Sequence, residues 1–212
     1  MAPSALLVIA KAPVPGRVKT RLTPPCTPEQ AARLARAAIE DTLAAALAVD
    51  RDVRRVVVLD GEPGPWIPDG FEILAQRGDG LAERLAAAFA DVAAPAFLVG
   101  MDTPQVTPAL LAAGLDAVRD RDAAFGAALD GGYWGIGLRE PDVRVFEDVP
   151  MSEDNTGVVQ RARLAILGLQ TATLPPLRDI DTIEDARAVA REAPDGRLAA
   201  ALAEIEPEVL AA

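Results

Sequence analysis

The stretch Ala5-Leu-Leu-Val-Ile-Ala10 is an uninterrupted apolar run near the N-terminus. A run of this length is typical of a strand that is buried on both faces, as in the interior of a parallel sheet. Similar short runs recur at Val53–Leu59 and Ala96–Gly100. Longer stretches with helical periodicity lie between them. This alternation predicts βαβ units, and therefore an α/β fold with a mostly parallel sheet flanked by helices.

Periodicity and turn residues place the other elements of the chain. We predict further strands at Phe71–Ala75, Ala123–Leu129, Tyr133–Leu138 and Leu169–Leu174. We predict helices at about Pro28–Val49, Leu81–Ala94 and Pro108–Arg119, over part of Ser152–Gly168, after Thr182, and, as a peripheral helix, from about Glu192. Thr27 and Thr107 are candidate N-caps, and Thr182 and Asp185 have the spacing of a capping box. Because no low-complexity linker interrupts the chain, we expect one domain over residues 1–212, with its core at about 4–190 and a helical tail at 191–212.

The composition excludes several classes of protein. Hydrophobic residues make up 50% of the 212 residues and charged residues 25%, which argues against intrinsic disorder. The net charge of −11 argues against partners such as nucleic acids or anionic membranes. Because no apolar run reaches about 18 residues, we expect no membrane span and a cytoplasmic protein. The oligomeric state stays open, with a homodimer as one alternative.

The absence of histidine limits the chemistry of the chain. It excludes a Ser-His-Asp triad, a histidine general base and histidine-ligated zinc. Cys26 is the only cysteine, so an intrachain disulfide and a cysteine metal cluster are excluded as well. A metal site built from side chains must therefore use mainly oxygen ligands, which suit Mg²⁺, Mn²⁺ or Ca²⁺.

A basic segment follows the first strand directly. It reads Lys11-Ala-Pro-Val-Pro-Gly-Arg17-Val-Lys19-Thr-Arg21 and holds the chain's two lysines. In an extended conformation Arg17, Lys19 and Arg21 would share one face, which suits a pyrophosphate or triphosphate, and Gly16 would let the backbone approach a ligand. The alternative is a solvated basic loop. Because Lys19 lies in a loop, we expect it to make little contact with the core.

Two acidic segments are candidate metal ligands. Asp102 comes just after the buried run Ala96–Gly100, at the end of a parallel strand, where ligands bind in such sheets. Asp179 and Asp181 alternate, so in an extended segment both carboxylates face the same way. The alternatives are a turn at Asp102 and helix capping at Asp181.

A further candidate segment, which combines an acid, glycines and aromatic residues, is Asp130-Gly-Gly-Tyr-Trp-Gly135. Gly131 and Gly132 allow a nucleotide to pass close to the backbone. Asp130, Tyr133 and Trp134 are candidates for the wall of an acceptor site. The alternatives are a simple β-turn and a place for the two aromatic side chains in the core.

Together these motifs resemble the DUF2064 family, which is described as glycosyltransferase-like or as similar to 2-phospho-lactate guanylyltransferase. The resemblance rests on KAPVPGRVKTRL (11–22), GMDTP (100–104), DGGYWGIGL (130–138) and DIDTIED (179–185), in this order. It implies the nucleotide-diphospho-sugar transferase superfamily and its GT-A-like, Rossmann-type fold.

The resemblance also implies roles for individual residues. The nucleotide phosphates would be bound by the segment that holds Lys11, Gly16, Arg17, Lys19 and Arg21. The metal ion, Mg²⁺ or Mn²⁺, would be held by Asp102 and by Asp181 or Asp179.

From these observations we expect a Mg²⁺-dependent nucleotidyltransferase that binds a nucleotide and a small-molecule acceptor. It would move NMP from an NTP to a small anionic metabolite and release pyrophosphate, with Arg17, Lys19 and Asp102 as catalytic residues. One alternative is a glycosyltransferase that uses a nucleotide-sugar donor. The other is a non-catalytic nucleotide-binding subunit.

Overall fold

The computed structural model describes residues 4–209, which form one seven-stranded sheet with helices on both faces. The strands are β1 (Ala5–Lys11), β2 (Arg54–Asp60), β3 (Glu72–Ala75), β4 (Ala96–Gly100), β5 (Ala123–Ala128), β6 (Tyr133–Leu138) and β7 (Thr171–Leu177). The helices are α1 (Pro28–Leu47), α2 (Leu81–Val92), α3 (Pro108–Asp120), α4 (Thr156–Ile166), α5 (Ile183–Glu192) and α6 (Arg197–Val209). The predicted α/β class is confirmed.

The direction of the strands brings most loops of interest to one edge of the sheet. The strand order is β3-β2-β1-β4-β6-β5-β7, and β6 alone runs antiparallel to its two neighbours. The other six strands therefore all point the same way. As a result, the segments that follow β1, β4, β5 and β7 meet at the carboxyl edge, as the ligand rule for parallel sheets requires.

The central strands are buried on both faces because helices cover the sheet on each side. Residues Ala5–Val8 of β1 are fully buried between β2 and β4. On one face, α1 and α3 pack over Leu6 and Val8. On the other face, α2 and α4 contribute side chains to the hydrophobic cluster that contains Ala5 and Leu7. This arrangement explains why the sequence of β1 is continuously apolar instead of alternating.

Most predicted boundaries agree with the structure, and β7 differs for a physical reason. The strand was predicted at Leu169–Leu174 but runs over Thr171–Leu177 and includes Pro175 and Pro176. The two prolines are tolerated because β7 is an edge strand and because its register with β5 shifts between Leu174 and Leu177, where both prolines lie.

The predicted caps are confirmed, and the C-terminal helix packs more closely than its composition indicates. Thr27 and Thr182 each begin a helix with a capping box, and Thr107 caps α3. Helix α6 buries Leu198 and Ile205 in a cluster shared with α1 and α5. Within residues 4–209, no helix is both long and apolar enough to cross a membrane.

We predict that Gly126→Ala destabilises the fold, because a Cβ at this position would lie 2.3 Å from Cε2 of Trp134. Overpacking of this kind costs about 1–3 kcal/mol. The matched control is Gly80→Ala, since a Cβ at Gly80 would meet no atom within 4 Å. Urea unfolding of both variants provides the measurement. Equal stability losses would contradict the close packing of Trp134 on β5.

Candidate active site

The carboxyl edge of the sheet holds a cavity of about 460 Å³. It lies over the ends of β1, β4 and β5 and beside the segment that follows β7. Nine residues predicted for the site line it: Lys11, Arg21, Asp102, Asp130, Gly132, Tyr133, Trp134, Asp179 and Asp181. The chain therefore brings the acidic, basic and aromatic candidates to one place.

Three carboxylates converge in this cavity. Asp130, Asp179 and Asp181 each offer an oxygen, and these oxygens lie within 4.8 Å of one another. Asp179 and Asp181 were predicted as metal ligands, whereas Asp130 was predicted for the acceptor wall. Asp102 lies close by, but one of its oxygens contacts a lysine instead.

Backbone hydrogen bonds hold these acids in place. The amide of Ile180 donates to the carbonyl of Asp102 at 3.0 Å, which fixes the segment between Asp179 and Asp181 against the loop after β4. Gln105 Nε2 donates to the carbonyl of Arg178 at 2.7 Å. This bond holds the same segment one residue before Asp179. On the opposite side, the amide of Gly132 donates to Asp130 Oδ1 at 2.9 Å, which orients that carboxylate within its turn.

The crowding of carboxylates changes the acidity of Asp179. Burial, together with the negative charge of Asp102, raises the pKa of Asp179 to about 8, and Lys19 opposes this shift. Like charges at short distance disfavour the ionised form of an acid. Burial is the larger cause and the neighbouring carboxylates add to it, so the protonated form of Asp179 is favoured at neutral pH.

Lys19 is buried, although its place in a loop predicted little contact with the core. Its side chain is 8% exposed, its Nζ lies 2.7 Å from Asp102 Oδ1, and it also donates to the carbonyl of Ile180. Burial acts to lower the pKa of Lys19, but the carboxylates of Asp102, Asp179 and Asp181 hold it above its usual value. The lysine thus joins the basic loop to both acidic segments.

The basic segment is not extended as predicted. Lys19 adopts the left-handed conformation at φ 48° and ψ 41°, and residues Thr20–Leu22 form a short 3₁₀ helix. Consequently the three cations are not aligned by the alternation of an extended strand. Lys19 points to Asp102, Arg21 Nη1 lies 2.6 Å from Asp181 Oδ2, and Arg17 is exposed.

A second cavity, of about 240 Å³, adjoins the first. All four cations of the basic segment line it, and the acids that line it are Asp102 and Asp181. The residues that line both cavities are Lys11, Arg21, Met101, Asp102 and Asp181. A ligand that crosses the shared wall would reach the acids at one end and the cations at the other.

The turn between β5 and β6 divides its residues between the cavity and the core. Tyr133 lines the cavity, its hydroxyl lies 3.3 Å from Gln160 Oε1, and burial raises its pKa. Trp134 is mostly buried in the core, where its indole Nε1 donates to the carbonyl of Pro175 at 3.0 Å. Gly131, at φ 94°, packs against the carbonyl of Asp154 and lines neither cavity.

Gly16 also lines neither cavity. It adopts φ 72° in the turn that the amide of Arg17 closes by donating to the carbonyl of Val14 at 3.0 Å. The structure gives Gly16 a part in the shape of the loop, whereas its predicted contact with a nucleotide stays a prediction.

Asp60, Gln76 and Arg84 are polar residues of the larger cavity that lie outside every motif found in the sequence. Arg84 Nη1 lies 3.1 Å from Asp60 Oδ2 and 3.2 Å from Gln76 Oε1. Gln76 in turn donates to the carbonyl of Ala10 at 2.8 Å. Asp60 ends β2 and Gln76 follows β3, so the rule that indicated Asp102 also indicates these two positions.

The chemistry of the acid cluster fits a hard divalent cation. Carboxylate oxygens are the ligands that Mg²⁺ and Mn²⁺ prefer. The carboxylates of Asp102, Asp130 and Asp181 contribute to the raised pKa of Asp179 after burial, and a positive charge at this point would offset their contribution. Asp130, Asp179 and Asp181 are therefore the residues that could hold such an ion.

Comparison with known proteins indicates relatives of this chain. The sequence profile of a family described as "Uncharacterized protein conserved in bacteria (DUF2064)" matches residues 31–153. No curated protein matches the chain. A crystal structure from Desulfovibrio desulfuricans G20, assigned as a nucleotide-diphospho-sugar transferase, is 28% identical with a TM-score of 0.85, over 99% of this chain and 97% of that chain.

Two more distant structures share the fold. A CMP:2-keto-3-deoxy-manno-octonic acid synthetase in complex with CTP is 14% identical with a TM-score of 0.58, over 92% of this chain and 100% of that chain. Rv0371c from Mycobacterium tuberculosis H37Rv, in complex with manganese, is 22% identical with a TM-score of 0.53, over 89% of this chain and 98% of that chain. At these identities the likeness shows the fold alone.

We predict that Asp179→Asn stabilises the metal-free protein above about pH 8. The folded-state pKa of Asp179 is raised to about 8, from an ordinary value near 3.8, so the folded protein binds more protons than the unfolded chain between these values. The stability of the wild type must then fall as pH rises through this window, whereas an amide has no such cost. Each 1 kcal/mol of relief raises Tm by about 2–4 °C at this chain length.

Thermal unfolding in EDTA from pH 5 to 9 measures this effect. The control is Asp69→Asn, at an exposed turn residue with no ion pair to the described residues. The advantage of Asp179→Asn should grow with pH, and that of the control should not. An advantage independent of pH would contradict the raised pKa of Asp179.

Proposed function

The chain belongs to the DUF2064 family, and from the geometry of its site we propose that it is a nucleotidyltransferase dependent on a divalent cation. It would transfer NMP from an NTP to a small metabolite and release pyrophosphate. The attacking oxygen of the acceptor forms a bond to the α-phosphorus. The bond between that phosphorus and the bridging oxygen breaks, and pyrophosphate leaves with the electron pair.

The observation that carries the proposal is the cationic cavity of about 240 Å³ beside the acid cluster. A nucleotidyltransferase needs a place for two phosphates beyond the α-phosphate, and that place must attract negative charge. Lys11, Arg17 and Arg21 line this cavity together with Lys19. In a nucleotide-sugar, by contrast, a neutral sugar lies beyond the β-phosphate, and a sugar gains little from four cations.

The cation, Mg²⁺ or Mn²⁺, would be held by Asp130, Asp179 and Asp181. When bound, it would withdraw charge from phosphoryl oxygens and help to orient them for displacement. The relative with manganese supports this choice of ion, and the relative with CTP supports a nucleotide as the ligand.

The residues of the chain divide the remaining tasks between them. Arg17 is exposed and has no ion pair among the described residues, so it is available for the terminal phosphates. Arg21 is already paired with Asp181 and would bind phosphate while still orienting that acid. Lys11 lies in both cavities and would contact the phosphate that spans them. No histidine base is required if the acceptor attacks through an oxygen that is already ionised.

The acceptor would occupy the part of the larger cavity near Tyr133. Glu153 and Asp154 also line this cavity, and neither forms an ion pair with the described residues. Their negative charge disfavours a second anionic group on the acceptor. We therefore propose a small metabolite whose attacking group is anionic and whose remaining part is neutral or cationic.

Glycosyl transfer from a nucleotide-sugar is the second candidate. It is favoured by the assignment of the Desulfovibrio relative, which covers nearly the whole chain. A non-catalytic nucleotide-binding subunit is the third, and turnover that is lost in Asp130→Asn would exclude it.

The test is a thermal-shift panel of ATP, GTP, CTP, UTP, UDP-glucose and GDP-mannose, with Mg²⁺, with Mn²⁺ and with EDTA. A ligand at a hundred times its dissociation constant stabilises the fold by about 2.7 kcal/mol. We expect a cation-dependent shift with at least one NTP, followed by pyrophosphate release once acceptors are added. Turnover of a nucleotide-sugar without pyrophosphate release from any NTP would replace the proposal with glycosyl transfer.

We further predict that Arg17→Gln weakens NTP binding more than NMP binding, because Arg17 lines only the cavity assigned to the terminal phosphates. Loss of one charge-assisted contact corresponds to about tenfold or more in Kd. Arg36→Gln, on the exposed face of α1, is the matched control and should leave both affinities unchanged. Isothermal titration measures the two affinities. An equal loss for NTP and NMP would mean that Arg17 does not contact the terminal phosphates.

A further inference from the structure

The contact between Lys19 and Asp102 is unusual for a site that must bind both phosphate and a cation. Lys19 was predicted to bind phosphate and Asp102 to bind the metal, yet in the structure they neutralise each other at 2.7 Å. The side chain of Lys19 is 8% exposed and that of Asp102 is 35% exposed. Asp102 lines both cavities, and Lys19 lines the smaller one. Each residue thus neutralises the charge with which the other would bind its predicted ligand.

The placement of the acids agrees with this interpretation. The three carboxylates that converge closely are Asp130, Asp179 and Asp181, and Asp102 is outside that group. Asp102 is nevertheless near enough for its charge to raise the pKa of Asp179. Asp102 instead contacts the Lys19 ammonium.

We propose that the Lys19 ammonium is the resident counter-ion of Asp102, which a divalent cation must displace before Asp102 can bind it. This inference rests on the metal site of the proposed function. The ammonium and the divalent cation compete for one carboxylate, because each neutralises the same negative charge.

A second anionic partner would be available to the displaced Lys19 ammonium. Lys19 lines the smaller cavity together with Arg17 and Arg21, so a small movement of its ammonium brings it to the phosphates proposed to bind there. The negative charge of the nucleotide phosphates would replace that of Asp102 beside the Lys19 ammonium. Cation binding and nucleotide binding would then favour each other, and the cation alone would bind weakly.

A purely structural role is the competing explanation. Lys19 also donates to the carbonyl of Ile180, and its left-handed backbone indicates a fixed position. If the lysine only joins the loops, it stays in place when the cation binds. The two explanations therefore differ in what happens to the Lys19 ammonium on cation binding.

The first experiment uses the wild-type chain and needs no substitution. Lys11 and Lys19 are the only lysines, so ¹⁵N-lysine labelling gives two side-chain ammonium resonances. The Lys19 ammonium should exchange slowly with water because it is buried, and Lys11, at 43% exposure, should exchange rapidly. Titration with Mg²⁺ alone should change the shift of the Lys19 resonance and accelerate its exchange.

The second experiment measures the affinity for Mn²⁺ alone by electron paramagnetic resonance. Lys19→Met should bind Mn²⁺ about tenfold more tightly than the wild type, because the competing charge is gone while the side chain keeps its length. Lys11→Met removes the same charge from a residue 4.0 Å from Asp60 and controls for the general field of the cavity. In the background of Asp102→Asn, the gain from Lys19→Met should disappear. Circular dichroism of each variant checks that it is folded.

The outcomes separate this inference from the proposed function. Mn²⁺ binding with an unchanged Lys19 resonance, or unchanged affinity in a folded Lys19→Met, would overturn the competition and leave the nucleotidyltransferase proposal standing. Absence of Mg²⁺ and Mn²⁺ binding in the presence and absence of every NTP would overturn both. If Lys19→Met does not fold, the response of the wild-type Lys19 resonance to Mg²⁺ decides between the two explanations.

Discussion

The architecture of the site depends on the contact of one buried ammonium with two acidic segments. Lys19 reaches Asp102 after β4 and the carbonyl of Ile180 after β7, and so joins three loops that are far apart in sequence. In a chain with a net charge of −11, the acids at this edge would otherwise repel one another. The contact allows Asp179 and Asp181 to approach Asp130 without an added cation, although Asp179 retains a raised pKa.

The sheet itself could be predicted because its determinants are local. The apolar run at Ala5–Ala10 needs only its own composition to indicate a doubly buried strand, and Thr27 and Thr182 mark helix starts by their spacing to neighbours. The strand order and the reversed direction of β6 depend on which surfaces pack together, and no short segment encodes that. The same distinction explains β7, since Pro175 and Pro176 disfavour a strand until its edge position is known.

Most of the candidate residues that meet at the carboxyl edge could be predicted from the sequence, but the contacts between them could not. The rule for the carboxyl ends of strands placed Asp102, Asp130 and Asp181 at one edge, where the structure has them. The conformation of the basic loop could not be obtained in this way, because the contacts of Lys19 with Asp102 and Ile180 join segments that are far apart in the sequence. The same rule also indicates Asp60 and Gln76. Their partner Arg84 lies in the first turn of α2 and belongs to no recognisable motif.

The same electrostatic conflict connects the stability of the protein with its proposed chemistry. A cluster of like charges opposes folding, so it persists only where another requirement maintains it. Here the acids lie beside a cavity lined by four cations, and five residues belong to both spaces. A bound triphosphate with its cation would bring positive charge to the acids and negative charge to the basic loop at the same time. One ligand can therefore relieve both excesses of charge, which a neutral sugar at the same position could not do.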